Sequence, residues 1–335
     1  MATKYAVSHD SPNGPGDSRP TALQIIEDEG LEGKLADKVF LITGCSSGIG
    51  IETARALSKT GARIFVTARD TQKAKATLGD LLESNQVHLL ALDLSSLASV
   101  RAFAVEFLSQ SQKLHVLIAN AGVMATPESR TVDGFEMQLG VNHLAHFLLF
   151  HLLKPTLLGS STPDSPSRVV FVSSSAHRMS TVHLENLDLN SEYEPWKAYG
   201  QSKTAIIWTA NEVERRYGSS GLHAFSLHPG GIATGLQQHL PEEVMEGWAK
   251  DESFARIWKS PEQGAATTVW AAVAKALDGE GGKFLEDCQI AGPHIPETGL
   301  LGSGYAPWAY DEQKAAELWE RSSELKPSRV PGAGE

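Results

Sequence analysis

The stretch Val39-Phe40-Leu41-Ile42-Thr43-Gly44-Cys45-Ser46-Ser47-Gly48-Ile49-Gly50-Ile51-Glu52-Thr53-Ala54-Arg55-Ala56-Leu57 decides how this chain is read. Its first four residues are an apolar run of the length of a buried strand. Ile51, Ala54 and Leu57 then recur at helical spacing. Between them Gly44, Gly48 and Gly50 make a turn from strand into helix. Such a turn gathers backbone N–H groups and a helix N-terminus at one spot. Bare glycines let a ligand approach the backbone closely, and the helix dipole favours negative charge there. A pyrophosphate suits that spot, so Gly44, Ser46, Ser47, Gly48, Ile49 and Gly50 are expected to cradle a dinucleotide.

The pattern repeats outward from this stretch. Apolar runs at 62–68, 87–92, 114–118, 168–173, 222–227 and 282–285 alternate with amphipathic segments, the two longest at 135–153 and 199–217. This alternation predicts an α/β fold: one doubly wound domain with a seven-stranded parallel sheet flanked by helices on both faces. Residues 1–20, rich in Pro, Gly, Ser and Asp, read as a flexible tail, and 21–35 as the site of one short helix. The 335 residues are 41% hydrophobic, enough for a sizeable core, and 29 Lys+Arg against 40 Asp+Glu give a net charge of −11. That balance argues against nucleic acid or an anionic membrane as partner. The N-terminus lacks a signal-peptide pattern and 139–158 is too polar for a membrane span, so a soluble, cytoplasmic protein is expected. Cys45 and Cys288 suggest neither a disulfide framework nor a metal site.

In a doubly wound sheet the ligand lies across the carboxyl ends of the strands. The residue after the second strand therefore faces the adenosine ribose. An acidic side chain there would bond a 2′-hydroxyl; this chain has Arg69, whose guanidinium fits a 2′-phosphate. NADP(H) is therefore expected over NAD(H), with Asp70 blurring the signal. Asp93 and Leu94 end the third strand. Asp93 is placed either to meet the adenine or to cap the next helix.

Tyr199 and Lys203 lie four apart on one face of a predicted helix. An ammonium one turn from a phenol stabilises the phenolate and lowers the Tyr pKa from its usual ~10, as a general acid/base requires. Ser173-Ser174-Ser175 would bring a hydroxyl to the same sheet edge, and Asn142 a polar anchor.

Together these residues resemble the short-chain dehydrogenase/reductase family. Thr43-Gly44-x-x-x-Gly48-x-Gly50, Asp93, Asn120-Ala121-Gly122, Asn142, Ser174, Tyr199-x-x-x-Lys203 and Pro229-Gly230 stand in the family's order, over roughly 37–290. The resemblance implies a Rossmann domain over 37–300, preceded by an extension at 1–36 and followed by another at 301–335. It implies Tyr199 as catalytic acid/base and Lys203 as the group that lowers its pKa and holds the nicotinamide ribose. Ser174 would orient the substrate oxygen, and Asn142 would support a water-linked proton relay. Asn120, Ala121, Gly122, Pro229, Gly230, Ile232 and Thr234 would complete the cofactor site. Thr67-Ala68-Arg69-Asp70, Val141-Asn142-His143-Leu144-Ala145-His146-Phe147 and Ser174-Ser175-Ala176-His177 are similar to the retinol dehydrogenase and WW-domain oxidoreductase branch, of fungal or bacterial type.

Within that branch the membrane anchor of many animal members is absent, so membrane-bound retinoid work is not expected. Residues 235–260 correspond to the substrate lid, where Leu236, Leu240, Met245 and Trp248 give an apolar helical face. His177, Trp196 and Leu236 are the candidate substrate contacts. The substrate expected is a bulky apolar carbonyl or alcohol, handled in the reductive direction. The alternatives are an NAD-linked dehydrogenase and a cofactor-binding regulator without chemistry. His143 and His146 are read as core histidines, not zinc ligands. The two long helices form the dimer face in much of the family, which admits a homodimer.

Overall fold

The structure, a computed structural model, describes residues 4–299 and 301–325. Its strands run β1 (Val39–Ile42), β2 (Arg63–Ala68), β3 (Val87–Ala91), β4 (Val116–Ala119), β5 (Ser167–Val172), β6 (Leu222–His228), β7 (Lys283–Glu286) and β8 (Gln289–Ile290). The sheet order is β3-β2-β1-β4-β5-β6-β7-β8. The first seven strands are parallel, as the sequence predicts. The eighth departs from that expectation: β8 pairs antiparallel with β7. Asp287 and Cys288, both at positive φ (53° and 55°), fold the chain back in a two-residue turn. Every residue of β1, β4 and β5 is buried, which is why these strands read as unbroken runs and not as alternating ones.

The helices are α1 (Ala6–His9), α2 (Ala22–Asp28), α3 (Ile49–Ser58), α4 (Thr71–Leu78), α5 (Leu97–Gln110), α6 (Met137–Leu139), α7 (Ala145–Ser160), α8 (Pro195–Tyr217), α9 (Glu242–Lys250), α10 (Glu252–Ile257), α11 (Pro261–Gly264), α12 (Ala266–Val273) and α13 (Glu312–Glu324). One apolar core fills the sheet face covered by α2, α3 and α12; a second fills the face covered by α5, α7 and α8. The first long helix predicted from sequence is not continuous. A π-turn over Gly140–Leu144 joins α6 to α7 and carries Asn142; such turns recur at functional sites. No helix among the described residues is long and apolar enough to cross a membrane.

Two further differences concern the extensions. From residue 4 on, the stretch read as a flexible tail is anchored at two places: Tyr5 is buried with its hydroxyl donating to Asp28 at 3.0 Å, and Arg19 is buried against the segment after α10. At the other end α13 lies over α8 and α7. Its Trp319 is wedged among Phe147, Phe150, His151 and Tyr217, with centroids 5.0–6.4 Å apart. Part of the face formed by α7 and α8 is thus covered by the chain's own C-terminal helix. His143 and His146 are core residues: His143 Nε2 lies 2.9 Å from Ser322 Oγ, and His146 bridges Thr43 Oγ1 and the Asn142 carbonyl.

Candidate active site

The order reverses between β1 and β4, and a cavity of about 1150 Å³ opens over the carboxyl ends there and above β5 to β7. The glycine turn forms its wall. Gly48, at φ +67°, precedes α3, and a Cβ on it would stand 3.2 Å from Thr234 Cγ2. Gly50 faces inward instead: a Cβ there would collide with the Gly44 carbonyl and reach 2.7 Å from Asn120 Nδ2. That same Asn120 amide donates to the Thr43 and Gly44 carbonyls at 2.8 and 3.1 Å, tying β4 to the turn. Ser46, Ser47, Ile49, Ala121, Gly122, Pro229, Gly230 and Ile232 line the same cavity.

At the outer end Arg69 lines the cavity with Lys73, which sequence reasoning did not single out. Asp70 is committed elsewhere, capping α4 by accepting from the Lys73 N–H at 2.9 Å. Asp93 does not cap the next helix, a task taken by Ser96. It accepts from the Ser95 backbone and hydroxyl at 2.9 and 2.7 Å and lines the cavity with Leu94. The bare cradle fits the pyrophosphate of a dinucleotide.

At the inner end Glu194 caps α8 and Pro195 opens it, placing Tyr199 and Lys203 within its first turns. Tyr199 is only 3% exposed and shares a hydrogen bond with Ser174. Ser173 is held apart, its hydroxyl donating to the Lys203 carbonyl at 2.8 Å. Lys203 Nζ lies 5.5 Å from the Tyr199 ring centroid and donates to the Val172 carbonyl at 3.0 Å. Burial pushes the Tyr199 phenol up to about 12 against the pull of the Ser174 bond, and pushes the Lys203 ammonium down to about 7. This opposes the lowering of Tyr199 expected from sequence, because desolvation penalises both charged forms. Asn142 is fully buried: it exchanges hydrogen bonds with the Val123 backbone at 2.8 and 3.0 Å and donates to Ser202 at 2.9 Å. It meets Lys203 across the bare backbone of Gly122, where a Cβ would lie 3.1 Å from Asn142 Oδ1 and 3.5 Å from Lys203 Nζ.

Trp196 and Leu236 line the inner cavity as expected; His177 does not. Its Nδ1 donates to the Ser174 carbonyl at 2.6 Å and its Nε2 accepts from the Ala306 N–H at 2.9 Å, so it clamps the C-terminal loop. Thr234 lines the cavity, while its hydroxyl also accepts from Leu236 N at 3.2 Å. The lid contributes an aromatic wall: Trp248 stands 6.5 Å from Trp196, 5.8 Å from Phe254 and 6.3 Å from Trp258. Arg178, Glu286, His294 and Leu301 also line this end and were missed. Arg178 sits on the turn after β5, while Glu286 arrives on β7 and His294 and Leu301 on the loop after β8, whose approach no local pattern announces. Burial and the neighbouring Asp287 charge hold the Glu286 carboxyl above the ordinary range.

Comparison with known proteins agrees with this geometry. Residues 38–244 match the short chain dehydrogenase family. The chain belongs to that family. Among its relatives, the short-chain dehydrogenase/reductase prx1 of Penicillium roqueforti is 54% identical over 322 residues, 96% of this chain and 94% of the relative. Retinol dehydrogenase 11 of Homo sapiens is 39% identical, covering 87% of this chain and 86% of its own. This short-chain dehydrogenase therefore falls in the retinol dehydrogenase-like branch. A solved Pseudomonas aeruginosa RhlG/NADP active-site complex superposes with a TM-score of 0.61 at 27% identity, covering 76% of this chain and 96% of that one.

Proposed function

We propose that this oxidoreductase uses NADP(H) to interconvert a ketone or aldehyde with an alcohol, in the reductive direction and on a bulky, mostly apolar substrate. The observation that carries the reading is the meeting of Ser174, Tyr199 and Lys203 at the inner end of a cavity whose outer end holds Arg69 and Lys73. NADP(H) would be held by the glycine turn, by Asn120 to Gly122 and by Pro229 to Thr234, with Arg69 and Lys73 toward the 2′-phosphate. When bound, it supplies the hydride. Ser174 holds the substrate oxygen in place. Tyr199 gives its phenolic proton to that oxygen as negative charge grows on it, and takes the proton back in the oxidative direction. Lys203, buried beside the ring, favours the phenolate when it carries its own proton. Asn142 fixes Val123 and α8 so that Lys203 keeps its place, and would support a water-linked proton relay to Lys203. Trp196, Leu236, Trp248, Phe254 and Trp258 offer an apolar body its surroundings and shut out water. RhlG, a relative by structure, is described in complex with NADP, which agrees with this cofactor.

Fluorescence titration with NADPH and NADH tests the cofactor assignment. NADPH should bind at least about tenfold more tightly, and Arg69→Asp should erase that preference, a change of roughly 1.4 kcal/mol or more. Equal affinity for both cofactors in the wild type would refute it.

A further inference from the structure

The lid helices α9 and α10 bury none of their residues, so apolar packing does little to fix where they stand. Yet the segment that follows them carries Trp258, part of the pocket's aromatic wall. Arg19, from the N-terminal extension, holds that segment together with the Gly14 N–H, which donates to the Arg256 carbonyl at 2.8 Å. Arg19 is only 4% exposed. Nη1 donates to the Ile257 carbonyl at 2.8 Å, while Nη2 donates to Trp258 at 2.6 Å, Arg256 at 3.4 Å and Gly14 at 3.0 Å. Nε donates to Asp17 at 2.8 Å. The last carbonyls of a helix have no partner within it, and a planar fork of donors can satisfy several at once. A cation there also meets the negative end of the α10 dipole.

The other end of this arm reaches the cofactor side. Gln263 of α11 donates to the Asp17 carbonyl and carboxylate and to the Arg19 carbonyl at 3.0–3.1 Å, and it accepts from Gly16 N at 2.9 Å. Its neighbour Gly264 packs so closely that a Cβ would lie 2.5 Å from Ile232 and 3.0 Å from Ile49, both of which line the cavity. Residues 14–19 are therefore bonded on one side to the end of the lid and on the other to α11, which packs against the cavity wall. Lys259 anchors the chain just beyond, its N–H on the Gly231 carbonyl and its ammonium 2.6 Å from Asp287. Trp258 is thus gripped on one side by Arg19 and on the other by the Lys259 anchor.

We propose that Arg19 is a positioning residue for substrate selection, setting the aromatic wall of the pocket through the carbonyls of Arg256, Ile257 and Trp258. The inference rests on the reductase reading of the site. It gives the N-terminal extension a share in deciding which carbonyl compounds fit. A bulky fused-ring ketone that touches the wall depends on Arg19; a small ketone that stops short of it does not.

The test compares full-length wild type, Arg19→Met, which keeps the stem without donors, and Arg19→Lys, which keeps the charge. Hydrogen exchange read by mass spectrometry should quicken about tenfold or more over 252–258 in Arg19→Met while β4 and β5 stay unchanged. With NADPH, KM for 2-decalone should rise about tenfold in Arg19→Met while kcat, and both constants for cyclohexanone, stay within about twofold; Arg19→Lys should fall between. Unchanged exchange over 252–258, or parallel KM changes for the two ketones, would overturn the proposal. A wild type that binds NADPH but turns over neither ketone would count against the reductase reading alone, and the exchange result would then decide whether Arg19 holds the lid.

Discussion

Arg69 and Asp70 stand side by side at the end of β2, and the structure divides their duties. Asp70 is occupied by the first turn of α4, which leaves Arg69 and Lys73 facing the cavity. Sequence could name the pair but not the division, because a capping contact needs the helix start in place. Gly44, Gly48 and Gly50 were legible as a group. Their separate tasks were not: Gly48 keeps the wall thin beside Thr234, while Gly50 lets the turn pack on Asn120. Tyr199 and Lys203 were legible through their spacing taken together with Ser174, Asn142 and the glycine turn. Their surroundings were not, and burial moves both groups toward neutrality at physiological pH, Tyr199 to about 12 and Lys203 to about 7. A neutral phenol is the form that can donate a proton to a carbonyl oxygen. His177 was misread for a physical reason: three residues after Ser174, a turn rotates it away from the cavity onto Ala306.

At the scale of elements, runs buried on both faces gave up their strands readily, and the glycine turn gave the order of strand, cradle and helix. The elements that escaped lacked a periodic signature. β8 has two residues, and the π-turn over Gly140–Leu144 sits inside a stretch as apolar as the helix around it. The helix α13 lies in the C-terminal extension that the sequence marks off, but its seat was not legible there. Trp319, 5% exposed, fills the groove between α7 and α8. Removing so large a buried side chain leaves a cavity, so Trp319→Ala should cost about 3–5 kcal/mol in urea unfolding. A loss below about 1 kcal/mol would mean that α13 is only loosely attached and that α7 and α8 are free for another partner.

For the molecule as a whole, buried histidines tie stability to pH. Burial pushes His143 down to about 3, and His146 and His177 down to about 4. The unfolded chain binds protons at these positions near pH 6.5, whereas the folded chain refuses them until pH 3–4. Their contribution is complete above about pH 6.5 and is lost as pH falls toward 4, by roughly 1.4 kcal/mol per pH unit for each group. Glu286, whose carboxyl keeps its proton above the ordinary range, opposes one of the three. Thermal melts should therefore show Tm dropping steeply between pH 6.5 and 4, and less steeply in His143→Gln. A flat profile would contradict the neutral, buried state of these rings. The central claim concerns chemistry, and one measurement reaches it most directly: NADPH oxidation on a panel of bulky ketones, wild type beside Tyr199→Phe, with NADPH affinity recorded for both. The account predicts turnover by the wild type and a fall in kcat of about 10²- to 10⁴-fold in the variant at unchanged NADPH affinity. Equal rates in the two proteins, or no turnover of any carbonyl by a wild type that binds NADPH, would contradict it.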